Sequence, residues 1–259
     1  MNSRPDNSAS VSIMADPPHD ASSVAAPISC GGFIWPLCVQ LAASALPWRL
    51  RSSVLRYLLG WEIGVGASVG LSLIFAAEVK ISEGARIGHF NLLRALMRLH
   101  LGPKSSIGQL NWISGIGTDR NRALSHKPDR KPCLYLGEHA AITSRHIIDC
   151  TDCVEVGRYT TIAGYRSQIL THGIDLLASR QDCEPAKIGE YCLVGTGATL
   201  LMGATVPNCC VIAAGAVVSK SLSSDFTLYA GVPARAVKRL SRESLYMRRK
   251  FGPVRIKSQ

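Results

Sequence analysis

The most regular pattern in the chain is an aliphatic residue at every sixth position. It is clearest between positions 188 and 218, where the stretch is almost entirely small and apolar and each sixth residue is Ile, Leu or Val. The members of this run are Ile188, Val194, Leu200, Val206, Ile212 and Val218. A period of six fits neither the period of two of a strand nor the period of about 3.6 of a helix, but it is a known signature of solenoid proteins.

Shorter runs with the same period precede it. They comprise Ile63, Val69, Phe75, Ile81, Ile87, Ile107, Ile113, Leu136, Ile142, Ile148, Val154, Val156 and Ile162. We expect each hexad to form a short strand and a turn, and three hexads to close one triangular coil whose aliphatic residues stack on those of the next coil. The chain has room for about six such coils. The hexads are broken between positions 90 and 136, where the pattern predicts an irregular part of the solenoid.

Two polar, proline-containing segments interrupt the repeat, at positions 118–133 and 176–187. Both are predicted to be loops that leave the solenoid. Loops of this kind often carry the function of a solenoid protein.

The N-terminal part has a different composition. Residues 1–23 are rich in Ser, Asp, Asn and Pro without any periodicity, which predicts a disordered tail. Residues 24–48 contain no charged residue, and the basic, amphipathic stretch 49–60 follows. Three interpretations of residues 24–60 stay open: a helical element in a membrane interface, a hairpin or spanning segment, or a helix that caps the domain or is buried in an oligomer.

Composition narrows the choice of partners. The net charge of +11 favours anionic ligands such as phosphorylated cofactors or anionic lipid. No aromatic-interleaved basic groove or known nucleic-acid motif is present, so we expect no nucleic-acid partner. The nine cysteines are irregularly spaced, and the single CxxC pair, Cys150 and Cys153, has no second ligand pair. We therefore expect no metal site and a reducing, cytoplasmic location, at the inner face of the membrane if residues 24–60 touch lipid.

Three features together resemble one family. The hexads, the "LTHGID" segment at 170–175 and the closing "YAGVPARAVKRL" at 229–240 are similar to the hexapeptide-repeat, or isoleucine-patch, acyltransferases. The resemblance covers about residues 49–240. It implies a left-handed parallel β-helix, a homotrimer and an acyl-CoA donor such as acetyl-CoA. The basic lead-in and the "THGID" region are most similar to sugar O-acetyltransferases of cell-surface polysaccharide synthesis.

The predicted fold is thus all-β, a left-handed parallel β-helix with N-terminal and C-terminal helices. Its parts are the tail (1–23), a helical lead-in (24–60), the β-helix domain (61–225) and a closing segment with a basic C-terminal helix (226–259). The helix is expected over "SRESLYMRRKF" at positions 241–251.

His172 is the predicted catalytic residue. Acyl transfer to a hydroxyl group needs a base for the hydroxyl proton, and imidazole titrates near neutral pH. His172 stands where the hexads stop, and it matches the catalytic histidine that the resemblance implies. Asp175 is predicted either to orient this imidazole or to bind the acceptor, although an Asp in a loop is commonly a turn former. His146 falls at a corner of the repeat, where structural packing is the simpler interpretation.

The resemblance also implies a binding groove for coenzyme A. Small residues of the final coils allow the pantetheine arm to approach the backbone, and cations bind the phosphates. The resemblance matches Thr196, Ala214 and Ser219 to the groove, and Lys220, Arg235 and Lys238 to its phosphate end. The alternative for each basic residue is an ordinary solvated surface charge.

These residues predict an O-acetyltransferase that moves an acetyl group from acetyl-CoA to a hydroxyl group of a sugar or glycolipid. The resemblance implies direct transfer in a ternary complex, with a backbone N–H stabilising the oxyanion. Three alternatives stay open: an N-acetyltransferase acting on an amino sugar, a non-catalytic β-helix scaffold, and a metal-dependent hydratase resembling γ-type carbonic anhydrases. The hydratase requires several histidines on neighbouring coils, and the sequence shows no convincing set.

Overall fold

The computed structural model describes residues 31–117 and 122–252 of the chain. The predicted disordered tail, 1–23, lies outside the described residues. The chain opens with two α-helices, α1 (Gly31–Ser44) and α2 (Trp48–Leu59). Two short 3-10 helices, Arg122–Leu124 and Leu245–Arg248, occur later.

The rest of the regular structure consists of short strands. In chain order they are β1 (Glu62–Ile63), β2 (Ser68–Val69), β3 (Leu73–Ile81), β4 (Arg86–Ile87), β5 (Leu92–Leu101), β6 (Ser106–Ile107), β7 (Trp112–Ser114), β8 (Cys133–Leu136), β9 (Ala141–Ile142), β10 (Ile147–Asp149), β11 (Val154–Val156), β12 (Thr161–Ile162), β13 (Gln168–Leu170), β14 (His172–Asp175), β15 (Arg180–Cys183), β16 (Ala186–Ile188), β17 (Leu193–Val194), β18 (Thr199–Leu200), β19 (Thr205–Val206), β20 (Val211–Ile212), β21 (Val217–Val218), β22 (Thr227–Ala230) and β23 (Arg235–Arg239).

Parallel pairing arranges most of these strands in three stacked faces. On the first face the stacked aliphatic residues are Ile63, Ile81, Leu101, Leu136, Val156, Ile188 and Val206. On the second they are Val69, Ile87, Ile107, Ile142, Ile162, Val194 and Ile212. On the third they are Ile74, Leu93, Ile113, Ile148, Ile169, Leu200 and Val218. All of them belong to one buried core. The predicted parallel β-helix is confirmed, and its described part has seven coils instead of about six.

One detail of the predicted repeat is wrong, and the part predicted to be irregular is irregular in its residue spacing. Ile74, not Phe75, occupies the core position of the third face, while the Phe75 ring stacks on Phe33 of α1 with centroids 4.3 Å apart. The part predicted to be irregular keeps its stacking, because β5 carries two core residues, Leu93 and Leu101, on different faces. The strand turns between the faces through Ala95, whose φ is 57°, so the spacing in sequence is longer while the spacing in space is preserved.

Helices α1 and α2 cover the N-terminal end of the solenoid. The Gln40 side chain pairs with both the N–H and the C=O of Ile74, at 2.8 and 3.0 Å. Three α2 side chains donate to first-coil carbonyls: Trp48 to Ala67 (2.9 Å), Arg51 to Gly70 (3.3 Å) and Arg56 to Ile63 (2.6 Å). An open strand edge needs such partners, so the described part of the 24–60 segment is a cap. No described helix has both the length and the apolar character to cross a membrane.

The C-terminal segment forms a strap along the solenoid. Strand β22 continues the second face and β23 pairs with it in antiparallel fashion. The chain then runs back along one corner, where the Tyr246 hydroxyl donates to Cys192 O (3.0 Å) and the Gly252 N–H donates to His139 Nδ1 (3.1 Å). The helix predicted over 241–251 is wrong. Only the 3-10 helix Leu245–Arg248 forms, because bonds to successive coils hold the rest of the strap along the corner.

The stacked core predicts a large effect from one buried leucine. Leu200→Ala removes a side chain with 0% exposure, so we expect the free energy of unfolding to fall by about 2–5 kcal/mol. Leu177→Ala is the matched control, because that side chain is fully exposed at 101%. Urea unfolding followed by circular dichroism measures both. Equal losses in the two variants would contradict the stacking described above.

Candidate active site

Two insertions leave the solenoid at the corner between the third and first faces. One is the antiparallel hairpin of β14 and β15, which begins earlier than the loop predicted at 176–187. The other spans 115–132, of which 118–121 lie outside the described residues. The two insertions meet at Asp182, which lies 3.1 Å from Lys127 Nζ and 3.3 Å from His126 Nε2. Buried Arg130 fixes the 115–132 insertion by donating to three backbone carbonyls, those of Ile116, Gly117 and Thr151.

His172 begins the hairpin and pairs with an aspartate of the preceding coil. Its Nδ1 lies 2.7 Å from Asp149 Oδ2. A carboxylate only accepts hydrogen bonds, so Nδ1 carries a proton, and in the neutral imidazole Nε2 is then the nitrogen with the free lone pair. The His172 side chain is 40% exposed, whereas that of Asp149 is 13% exposed. The arrangement is that of an accessible imidazole held by a sheltered carboxylate.

Several groups fix the Asp149 carboxylate. Its Oδ2 also accepts the backbone N–H groups of Thr171 and His172, both at 3.0 Å. Its Oδ1 accepts the hydroxyl of Thr151 at 2.6 Å and the backbone N–H of the same residue at 3.1 Å. Because donors surround both oxygens, the carboxylate is oriented before any substrate binds.

Asp175 does not orient the His172 imidazole, which was one of the two roles predicted for it. Its Oδ1 accepts the N–H groups of Leu177 and Ala178, at 3.0 and 3.1 Å, and so closes the hairpin turn. The orienting position belongs to Asp149, which sequence reasoning missed. Asp149 and Leu170 are register partners on adjacent coils, so a register drawn through β10 and β13 would have placed Asp149 beside the start of the hairpin.

The hairpin has two sides with different surroundings. Because His172 pairs with Cys183, and Ile174 with Gln181, the Ile174 and Gln181 side chains follow His172 on one side of the ribbon. Asp182, which contacts the other insertion, belongs to the opposite side. Ile174 and Gln181 are exposed, so this side of the ribbon is open to solvent.

Four of the six residues predicted to bind coenzyme A lie on two corners, and the other two lie on β23. Thr196 and Ala214 lie between the second and third faces, where the Thr196 carbonyl accepts the N–H of Gly215 at 2.9 Å. The Thr196 hydroxyl is engaged with the backbone N–H and C=O of Tyr165. The turn at 231–234 continues this corner, because the Val217 N–H donates to Gly231 O at 3.0 Å.

Ser219 and Lys220 lie on the other corner, the one that carries His172. They follow β21, which stacks on β18, and β18 in turn stacks on β13, just before the hairpin. Arg235 and Lys238 are exposed on β23, at the edge of the second face. A single chain therefore does not gather the six predicted residues into one cluster.

His146 is a packing residue. It is buried, its Nδ1 accepts the Ser167 N–H at 3.2 Å, and its Nε2 lies 2.8 Å from the Thr143 hydroxyl. The Asn111 side chain accepts its backbone N–H at 2.9 Å. Burial lowers the pKa of His146, as expected for an imidazole inside a polar ladder between coils.

The cysteines are mostly buried thiols. Cys150 and Cys153 are buried, and burial raises the pKa of both above the ordinary range. Burial likewise raises the pKa of Cys210 to about 11. Over residues 31–117 and 122–252, no three His, Cys, Asp or Glu side chains are grouped so as to hold a metal ion.

In comparisons with known proteins, the matches found for this chain are to solved structures. No protein-family model and no curated protein matches it. A hexapeptide-repeat-containing acetyltransferase from Vibrio cholerae is 17% identical, with 80% of this chain and 89% of that chain covered and a TM-score of 0.42. AntD, an N-acyltransferase from Bacillus cereus solved with dTDP and 3-hydroxybutyryl-CoA, is 16% identical, with 71% and 86% covered and a TM-score of 0.46. The strand pairing of this chain by itself defines the parallel β-helix.

Because the thiols are buried, we expect them to react slowly with thiol reagents. In a Cys30→Ser/Cys38→Ser variant we expect no fast-reacting thiol at pH 8, because the remaining cysteines are buried and thiolates are the reactive species. Those cysteines are Cys133, Cys150, Cys153, Cys183, Cys192, Cys209 and Cys210. Ellman's reagent measures the rate, with the urea-unfolded variant as the control that titrates all seven. A fast-reacting thiol in the folded variant would contradict this assignment.

Proposed function

We propose that the protein is an acyl-CoA-dependent acyltransferase that uses His172 as its general base. The proposal is supported by the His172–Asp149 pair, in which Nδ1 is hydrogen-bonded to the carboxylate at 2.7 Å and Nε2 is left as an acceptor. It stands at an exposed corner next to a hairpin. The acyl-CoA donor comes from the resemblance of the hexads and the closing segment to the hexapeptide-repeat acyltransferases.

In its finer form the proposal is an O-acetyltransferase acting on a sugar or glycolipid. His172 Nε2 takes the proton of an acceptor hydroxyl, and the oxygen attacks the thioester carbonyl of acetyl-CoA. A backbone N–H stabilises the resulting oxyanion. When the tetrahedral intermediate collapses, the C–S bond breaks and the imidazolium returns the proton to the leaving thiolate. Asp149 stabilises the imidazolium throughout.

An amine acceptor is the alternative, because the same base serves an amino sugar. Ile174 and Gln181 follow His172 on the open side of the hairpin, so acceptor recognition is proposed to involve them. Turnover assays with matched hydroxyl and amino sugars distinguish the two forms of the proposal. A non-catalytic scaffold is disfavoured, because a scaffold would not need an exposed histidine held in one orientation by a carboxylate.

A homotrimer is part of the proposal. Thr196 and Ala214 lie on one corner while Ser219 and Lys220 lie on another, so a groove that includes all four is best built between two copies of the chain. Light scattering coupled to size exclusion tests this directly. A cytoplasmic location is proposed from the free cysteines, which suit a reducing compartment.

Removing the base is expected to separate catalysis from binding. His172→Ala should lower the turnover number by about 10²- to 10⁴-fold, and Asp149→Asn should lower it by a similar order because the imidazolium loses its partner. Coenzyme A affinity, measured by calorimetry, should stay within twofold of the parent in both. His89→Ala, on a different corner, is the control and should keep full activity. Near-parental turnover of His172→Ala would overturn the proposal.

The predicted phosphate contacts have a separate test that needs no acceptor. Arg235→Ala and Lys238→Ala should each weaken coenzyme A binding by about tenfold, because each loses a charge-assisted hydrogen bond. Both losses should shrink at high salt. Arg94→Ala is the matched control, since Arg94 is exposed on a different part of the solenoid. Unchanged affinity in both test variants would assign Arg235 and Lys238 to ordinary surface charge.

A further inference from the structure

The outer side of the N-terminal cap is unusually apolar. Its inner side is occupied, with Val39, Ala43 and Leu55 buried. The large apolar side chains that it exposes are Phe33, Ile34, Trp35, Leu41, Leu46, Leu50, Tyr57 and Leu58. Several large apolar side chains exposed on one element of a domain mark an interaction site.

The apolar side is a permanent feature of the surface. Gln40 holds α1 through both backbone groups of Ile74, and Trp48, Arg51 and Arg56 hold α2 through first-coil carbonyls. These bonds use the inner faces of the two helices. Rotating either helix to hide its outer face would leave those polar groups unpaired, which is costly.

The charged residues of the cap sequence itself have one sign. From position 21 to position 61 the sequence contains three arginines, Arg49, Arg51 and Arg56, and no acidic residue. Arg49 and Arg56 also line a cleft of about 540 Å³ between α2 and the first coil, together with Arg86 of β4. The hydroxyl-bearing residues Ser52 and Ser68 line the same cleft, and no carboxylate does. Such a cleft suits a phosphate group.

We propose that the cap binds the surface of an anionic lipid bilayer. The exposed aromatic and aliphatic side chains of α1 and α2 enter the interfacial layer, and the arginine-lined cleft takes a lipid phosphate. Binding of this kind combines apolar burial with attraction to anionic lipid. A second copy of the chain fits less well, because a two-fold contact through this patch would bring its own arginines together.

The experiment uses the full chain and two kinds of vesicle. Flotation with vesicles of phosphatidylcholine alone is compared with vesicles containing one third phosphatidylglycerol. We expect capture by the anionic vesicles, at least tenfold weaker capture by the neutral ones, and a loss of capture at high salt. No capture by either vesicle would overturn the proposal.

Variants locate the contact. Ile34→Glu/Leu58→Glu should lose capture, whereas Ile174→Glu/Leu177→Glu, which places the same charges on the exposed hairpin, should keep it. Arg49→Gln/Arg86→Gln should weaken capture by about tenfold or more, while the control Arg94→Gln should not. Equal loss in test and control variants would assign capture to general surface charge and overturn the proposal.

Fluorescence adds a readout of which part of the protein contacts the lipid. Brominated lipid should quench Trp35, which is exposed on α1, so Trp35→Phe should lose the quenched component and Trp112→Phe should keep it. If instead Ile34→Glu/Leu58→Glu alters the oligomeric state without any effect of lipid, the cap is an interface between copies and the membrane proposal fails.

Discussion

Stacking of equivalent aliphatic side chains, one coil above another, is the constraint on which the rest of this structure depends. A single hexad buries almost nothing by itself, so each coil is stable only through its neighbours. The stacking also dictates the corners, because adjacent backbones approach closely there. A Cβ on Gly195, for example, would lie 2.6 Å from Ala214 N. Larger residues are accepted at a corner only where the side chain points outward, as with Tyr159 and Tyr191, whose rings stack with centroids 4.8 Å apart.

The same constraint explains where the candidate site lies. A strand on one of the three faces cannot take an insertion without breaking the stack, whereas a corner can. The hairpin and the 115–132 insertion both leave from one corner, where they contact each other through Asp182. Asp149 and His172 are 23 positions apart in the sequence, yet stacking brings them into direct contact. The geometry of the pair thus derives from the solenoid and not from the loop that carries the histidine.

Much of this fold could be predicted from the sequence, because the aliphatic repeat is a direct record of stacking. The run from Ile188 to Val218 needed no correction. Sequence spacing fails where the interval between faces departs from six residues. Ile74 follows Val69 too early for the hexad, so the prediction assigned Phe75 in its place. Asp149 was missed because the coil that leads from it to His172 is longer than three hexads. The C-terminal strap escaped prediction for another reason. Its conformation is set by bonds to Cys192, His139 and the corner tyrosines, which local helix propensity does not register.

A solenoid closed by a rigid cap has a consequence for distance. The cap rests on the first coil, and the hairpin with His172 leaves after the fifth. Since neighbouring strands are about 4.8 Å apart, the two lie roughly 20 Å from each other along the axis, and parallel pairing joins each coil to the next between them. The number of intervening coils therefore sets the distance between the cap and the imidazole. Deleting or adding one whole coil would shift the imidazole by a single strand spacing relative to whatever the cap binds, while its own surroundings stayed the same.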